Sequence, residues 1–229
     1  MERHPVVDGL ITATPIMIGY LPIALAYGVL ANQAGLSLFQ LTSMSALVFG
    51  GASQFMVLNM MLVQATYIEL VLATFVLNFR HFIMSLSMSH RLRQYPLKEK
   101  AVLGALTTDE SFSVLSVLNK DKQTPVSFYL TLHIAGYVAW VSGSLLGGVI
   151  GTFIPETLGQ SFGISLYAMF IALLLPSVKK EWRYGVIALL AMVFNFVLMP
   201  VASEGIRIVL ATLLASLIGV LIRQKEVRE

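Results

Sequence analysis

Apolar residues in this chain gather in long runs, separated by short clusters of polar and charged residues. The runs are Ile11 to Leu30, Phe39 to Val63, Ile68 to Met88, Ala101 to Leu118, Val126 to Ile150, Phe162 to Val178, Tyr184 to Met199 and Ile206 to Ile222. About 20 apolar residues in a helix cross the roughly 30 Å hydrocarbon core of a bilayer. The pattern therefore predicts an all-α integral membrane protein. Its 229 residues form one polytopic helical bundle of about six to eight transmembrane segments, in a single transmembrane domain over 1–229.

Composition agrees with the pattern. Hydrophobic residues make up 57% of the chain, charged residues 12%, and mean hydropathy is +0.80, whereas soluble domains are about half apolar and about a quarter charged. The distribution of charge then gives an orientation. Arg91, Arg93, Lys98 and Lys100 form the densest basic loop, followed by Lys120 and Lys122, by Lys179, Lys180 and Arg183, and by Arg223, Lys225 and Arg228. The connections near Asn32, Thr66, Glu156 and Ser203 carry no Lys or Arg outside the run ends. Basic loops stay cytoplasmic. The N-terminus has mixed charge and no small-residue cleavage site, so it is expected in the cytosol and is not read as a cleaved signal.

This assignment conflicts with eight plain crossings. The loops on both sides of Ala101 to Leu118 are basic, so that run is expected to enter and return on one side. A cytosolic N-terminus and a cytosolic Arg91 loop likewise require one of the first three runs to be broken, and Phe39 to Val63 is the best candidate. Six crossings plus two discontinuous or re-entrant segments, around Gly50–Gln54 and Thr107–Glu110, is the preferred topology; eight plain helices is its competitor.

Local chemistry supports both breaks. "GGASQF" places Gly50 and Gly51 where a helix can break, with Ser53 available to cap a new helix near Gln54. In "TTDESF", Thr107 and Glu110 have the spacing of a capping box. Non-helical backbone at membrane depth is tolerated only when buried in protein or lining an aqueous cavity. The alternative is that these small residues merely let helices pack closely.

Ionisable groups inside the runs are expensive and mark functional sites by default. Asn78, Arg80 and His81 lie in one run, Asp109 and Glu110 in another. A structural Arg80–Asp109 ion pair, or snorkelling of the Arg80–His81 end, is the competing account. His133 is read as a packing or hydrogen-bonding residue. The absence of cysteine excludes disulfides, thiolate metal sites and Cys nucleophiles. Neither a phosphate-binding G-x-x-x-x-G-K-[ST] loop nor H-E-x-x-H nor G-x-S-x-G occurs, so the chain is read as no enzyme, with no cofactor, metal or nucleotide. The net charge of +3, spread over loops, invites no nucleic-acid reading. No internal repeat stands out.

"GGASQF", "LNFRHFIMSLS", "TTDESF" and "AMFIALLLP" occur in this order and at spacings that resemble the AzlC-type large subunit of branched-chain amino-acid permeases, over about Leu10 to Leu221. The resemblance implies a multi-pass protein of the bacterial cytoplasmic membrane. It also implies a small multi-span AzlD-type partner subunit, and movement of branched-chain amino acids, in export for well-known members.

A zwitterionic amino acid needs an anion site, a cation site and an apolar pocket. The helix breaks near Ser53, Gln54 and Thr107 offer free amides to a carboxylate, with Arg80 as the alternative. Asp109 or Glu110 suits the ammonium, and Phe55, Met56 and Phe112 suit a branched side chain. His81, Asp109 and Glu110 are the candidate proton or ion carriers. A pore or channel for another small polar solute is the competing function.

Overall fold

The structure is a computed structural model that describes residues 4–117, 124–155, 164, 168, 171 and 174–226. Lys120, Lys122, Glu156 and most of the Phe162 to Val178 run lie outside the described residues.

The described chain is helical throughout, as the apolar runs predict. The helices are α1 (Pro5–Gln33), α2 (Leu38–Val48), α3 (Gly51–Leu62), α4 (Tyr67–Arg91), α5 (Leu97–Ala105), α6 (Asp109–Val117), α7 (Val126–Gly151), α8 (Arg183–Val197) and α9 (Glu204–Glu226); residues 174–180 are helical too. Among the described residues, α1, α7 and Tyr67–Ser89 of α4 are long and apolar enough to cross a membrane. Leu38–Val48, Arg183–Val197 and Ile206–Leu221 are shorter apolar helices.

Helix starts follow local sequence. Pro5 opens α1 in the first turn, where its missing N–H costs nothing, so the helix begins before the Ile11 expected from hydropathy. It continues through Pro15 and Pro22. Ser37 and Gln40 form a reciprocal capping box at α2, and Thr66 and Glu69 do the same at α4. Helix α5 starts after Pro96, ahead of the expected Ala101, because Lys98, Glu99 and Lys100 are good helix formers although they are not apolar.

The chain divides into two compact units, Met1–Phe55 with Asn78–Gly163, and Met56–Leu77 with Ile164–Glu229. In the second unit α8 packs on α9 through small residues. A Cβ on Gly219 would lie 2.5 Å from Ile187 Cδ1, and Ala211 and Ala215 on the same face of α9 are buried. There the Ser203 hydroxyl also donates to Glu69.

In the first unit α1 and α7 run parallel, backbone against backbone. Gly9 meets Phe128, Gly136 meets Ile16, Gly143 meets Ala24, Gly147 meets Leu25 and Gly151 meets Val29. A Cβ on Gly28 would fall 2.1 Å from the Ser144 carbonyl oxygen, and one on Gly147 2.1 Å from that of Leu25. In lipid, where apolar burial does not drive helices together, such close approach supplies the packing attraction.

Both expected breaks are present. Between α2 and α3 the chain turns at Phe49, whose φ of 40° lies in the left-handed region. Helix α2 descends along α7, with Leu41 beside Gly148, Ser45 bonded to Ser144, and Phe49 on Tyr137. Helix α3 turns back, with Gly51 against Trp140 and then Phe55 on Tyr27. Between α5 and α6 the turn falls at residues 106–108. The Tyr95 hydroxyl, before α5, donates to the Thr124 carbonyl, after α6, and the Tyr95 ring packs on Tyr129 at the start of α7. Entry and exit of α5–α6 therefore lie at the same end, as the basic flanking loops require. The two hairpins enter from opposite ends of α7.

Candidate functional site

The two hairpin tips and the part of α4 from Asn78 onward meet midway along α1 and α7, all within the first unit. At the first tip, Ser53 does not cap α3. The helix already begins at Gly51, three residues ahead of the expected Gln54, and the left-handed turn before it is made by Phe49. The Ser53 hydroxyl donates instead to the Gly50 carbonyl at 2.7 Å and accepts from Asn78 Nδ2 at 3.1 Å. Gly50 and Gly51 are needed for close approach. A Cβ on Gly50 would lie 2.6 Å from Ser53 Oγ, and one on Gly51 would lie 2.7 Å from the Trp140 ring.

Gln54 is buried, and both ends of its amide are used. Its Nε2 donates to Ser45 Oγ at 2.9 Å, and its Oε1 accepts from Trp140 Nε1 at 2.8 Å. Ser45 donates in turn to Ser144 Oγ at 2.8 Å, which donates to the Trp140 carbonyl. Phe55 is buried edge-on against Tyr27, with ring centroids 5.7 Å apart. These two residues fix the tip against α7 and α1, while Ser53 faces α4.

The second tip corrects the expected cap by one residue. Thr107 Oγ1 donates back to the Leu103 carbonyl at 2.7 Å, completing α5. Thr108 and Ser111 form the reciprocal cap of α6, the Thr108 N–H donating to Ser111 Oγ at 2.9 Å and the Ser111 N–H to Thr108 Oγ1 at 3.4 Å. Glu110 is free of capping because Tyr20 claims it. The Tyr20 hydroxyl donates to Glu110 Oε2 at 2.6 Å and lies 2.6 Å from the Thr108 hydroxyl. The Tyr20 ring also stands edge-on to Trp140 and Phe49, at 5.5 and 6.3 Å. One α1 side chain thus touches both tips.

Helix α4 supplies the charge. Arg80 Nη1 pairs with Asp109 Oδ2 at 2.8 Å, leaving 35% and 30% of the two side chains uncovered, so the pair remains accessible to a ligand. His81 Nδ1 donates to the Thr107 carbonyl at 3.0 Å. On this single turn Asn78 Oδ1, Arg80 Nε and His81 Nε2 are buried with no protein partner. Buried polar atoms are costly until paired, so this turn retains hydrogen-bonding capacity for water or a solute. Phe112 is half-buried on α6 near the ion pair's helix start. Among the described residues no group of three His, Cys, Asp or Glu side chains is arranged to hold a metal.

Arg80, His81, Asp109 and Glu110 are thus brought to one place with Ser53's partner Asn78. His133 lies elsewhere on α7, buried and donating from Nδ1 to the Tyr129 carbonyl at 2.7 Å, as expected of a packing residue. Tyr20 and Trp140 were not legible as site residues. The available signal was a Trp halfway along an apolar run, away from the interfaces where Trp concentrates, whose N–H then needs a buried partner.

Comparison with known proteins gives a consistent picture. Residues 15–154 match the family model described as AzlC protein. An "uncharacterized membrane protein" of Archaeoglobus fulgidus is 31% identical over 200 residues, covering 86% of this chain and 87% of that one. The "Inner membrane protein YgaZ" of Escherichia coli is 25% identical, over 80% and 77% of the two chains. The "Branched-chain amino acid transport protein AzlC" of Bacillus subtilis is 26% identical, over 74% and 66%. No solved structure matches the chain.

Proposed function

The chain belongs to the AzlC family, and from that premise we propose that it is a membrane transport subunit for branched-chain amino acids, valine, leucine and isoleucine. Further parts of the proposal are export across a bacterial cytoplasmic membrane, and action together with a small AzlD-type subunit. The observation that carries it is the accessible Arg80–Asp109 pair between two broken helices. A zwitterion inserted there exchanges one ion pair for two, its carboxylate on Arg80 and its ammonium on Asp109, with no change in net charge. That balance matters where an unpaired charge is expensive.

Glu110 lies next to Asp109 and is a second ammonium or proton acceptor, and His81 is the neighbouring base. The first-turn backbone amides of α3, that of Ser53 among them, serve the carboxylate's outer oxygen, with Gln54 and Phe55 holding that tip in place. Phe112 lines the apolar side toward a branched side chain. The name of the Bacillus subtilis relative supports this choice of solute.

The test is radiolabelled valine and leucine efflux from vesicles containing this chain, the small subunit, or both. Saturable efflux that requires both chains is expected. Efflux that rises linearly with solute concentration would favour a channel for small polar solutes, and no amino-acid flux in any arm would refute the proposal.

A further inference from the structure

The two hairpins are related by more than their shape. The sequence after the first break, Gln54-Phe55-Met56-Val57-Leu58, and that after the second, Ser111-Phe112-Ser113-Val114-Leu115, share Phe-x-Val-Leu at a spacing of 57 residues. Leu58 and Leu115, the last positions of this pattern, are both buried. Each hairpin follows a long helix, α1 before α2–α3 and α4 before α5–α6. The long helices run in opposite senses. Helix α1 runs parallel to α7, whereas the chain from Asn78 leads toward Tyr95, which sits on Tyr129 at the start of α7. Helix α5 then runs back along α4, with Gly104 at Ser85 and Thr107 at His81.

The side-chain contacts obey the same relation. Asn78 on α4 holds Ser53 at the first tip, and Tyr20 on α1 holds Glu110 at the second. Ser53 and Glu110 are 57 residues apart, Tyr20 and Asn78 58. Each long helix therefore reaches across and holds the broken helix of the other half.

We propose that α1–α3 and α4–α6 are inverted repeats, and that Tyr20 and Asn78 are paired positioning residues. Each holds closed the hairpin that enters from one end of the bundle: Tyr20 the α5–α6 hairpin at the end where α7 begins, Asn78 the α2–α3 hairpin at the end where α7 finishes. Inverted repeats with discontinuous helices are a general basis for access alternating between two sides. Here the two bonds are the side-specific restraints. Such a pair couples the sides because Tyr20, while bonded to the second tip, also packs its ring on Phe49 of the first. The inference rests on the reading of the chain as a transporter, but not on which solute it carries.

The chain has no cysteine, so single reporters can be placed at Thr107→Cys in the second tip and Ala52→Cys in the first. Both sites are buried. The reporters are challenged with an impermeant thiol reagent from either side of oriented vesicles. Tyr20→Phe keeps the ring and removes the hydroxyl; it should raise labelling of Thr107→Cys several-fold from the side where α7 begins, leaving Ala52→Cys unchanged or slower. Asn78→Leu should do the reverse, from the other side. If Tyr20→Phe does not accumulate, Glu110→Ala severs the same bond from its other end and must give the Tyr20→Phe pattern. Equal opening of both reporters by either variant, or no change in either, overturns the proposal. Normal valine efflux by the chain without these substitutions, with no side-specific labelling in the variants, would sink the clasps and leave the solute reading intact, whereas side-specific labelling in the variants with no amino-acid efflux by the unsubstituted chain would do the opposite.

Discussion

Gln54 shows how a residue suited to binding a solute is recruited to hold a backbone turn. With both ends of its amide satisfied in a buried setting, replacing it by leucine strands the Trp140 N–H. An unsatisfied buried donor costs roughly 1–3 kcal/mol. Gln54→Leu is therefore expected to lower the melting temperature of the detergent-solubilised protein, and a Gln54→Leu, Trp140→Phe double variant should recover part of the loss. Arg80 and Asp109 obey a different logic. Removing one partner strands a charge, so Arg80→Gln and Asp109→Asn should each cut valine efflux strongly. In the double variant the desolvation cost is gone, and abundance should recover while efflux stays absent. Recovered efflux would reduce the pair to a helix-joining contact. The pair was legible in the sequence because opposite charges inside the apolar runs are few and must find one another. The cap at Thr108 was not. Two adjacent threonines leave the register open by one residue, and what decided it was Tyr20 taking Glu110 from 90 positions away.

Among the elements, the α1–α7 seam sets the tolerances. Gly147→Ala would place a methyl group 2.1 Å from the Leu25 carbonyl oxygen, and backbone on both sides leaves no flexible end to move. The two helices must separate, and little folded protein is expected by size-exclusion chromatography. Gly19, on the same α1, has open space where a methyl group would stand, with nothing within 4 Å. Gly19→Ala should be neutral or slightly stabilising, since alanine exceeds glycine in helix propensity by about 1 kcal/mol. Equal damage from the two substitutions would contradict the seam. The long helices were readable from hydropathy because lipid demands apolar length. The ends of α5 were not, because its first turn is built of lysine and glutamate, which helix formation accepts and hydropathy rejects.

For the whole molecule, the bonded pair Tyr95 and Thr124 places the loops before α5 and after α6 at one end of α7. Thr152, just past the other end of α7, lies opposite. Single cysteines at Gln94 and Thr124 should react with an impermeant reagent from the cytoplasmic face alone, and one at Thr152 from the outer face alone. Reaction of Gln94 and Thr124 from different faces would turn α5–α6 into a plain crossing. This return was legible from charge alone, since basic loops flank the run on both sides. The inverted relation between hairpins was hidden, because its sequence trace is four positions long and the matching contacts join residues that only the fold brings together.

The parallel seam also has a timetable. Gly28 and its contact at Ser144 are separated by 116 positions of chain, and ribosomes add roughly 5–20 residues per second. For on the order of ten seconds after α1 is made, its glycine face therefore has no α7 to meet, and the Tyr20 hydroxyl has no Glu110 until the second hairpin is synthesised. A nascent chain stalled before α7 would carry an unsealed polar groove in lipid, the state that an insertion chaperone would have to shield and that membrane proteases would find first.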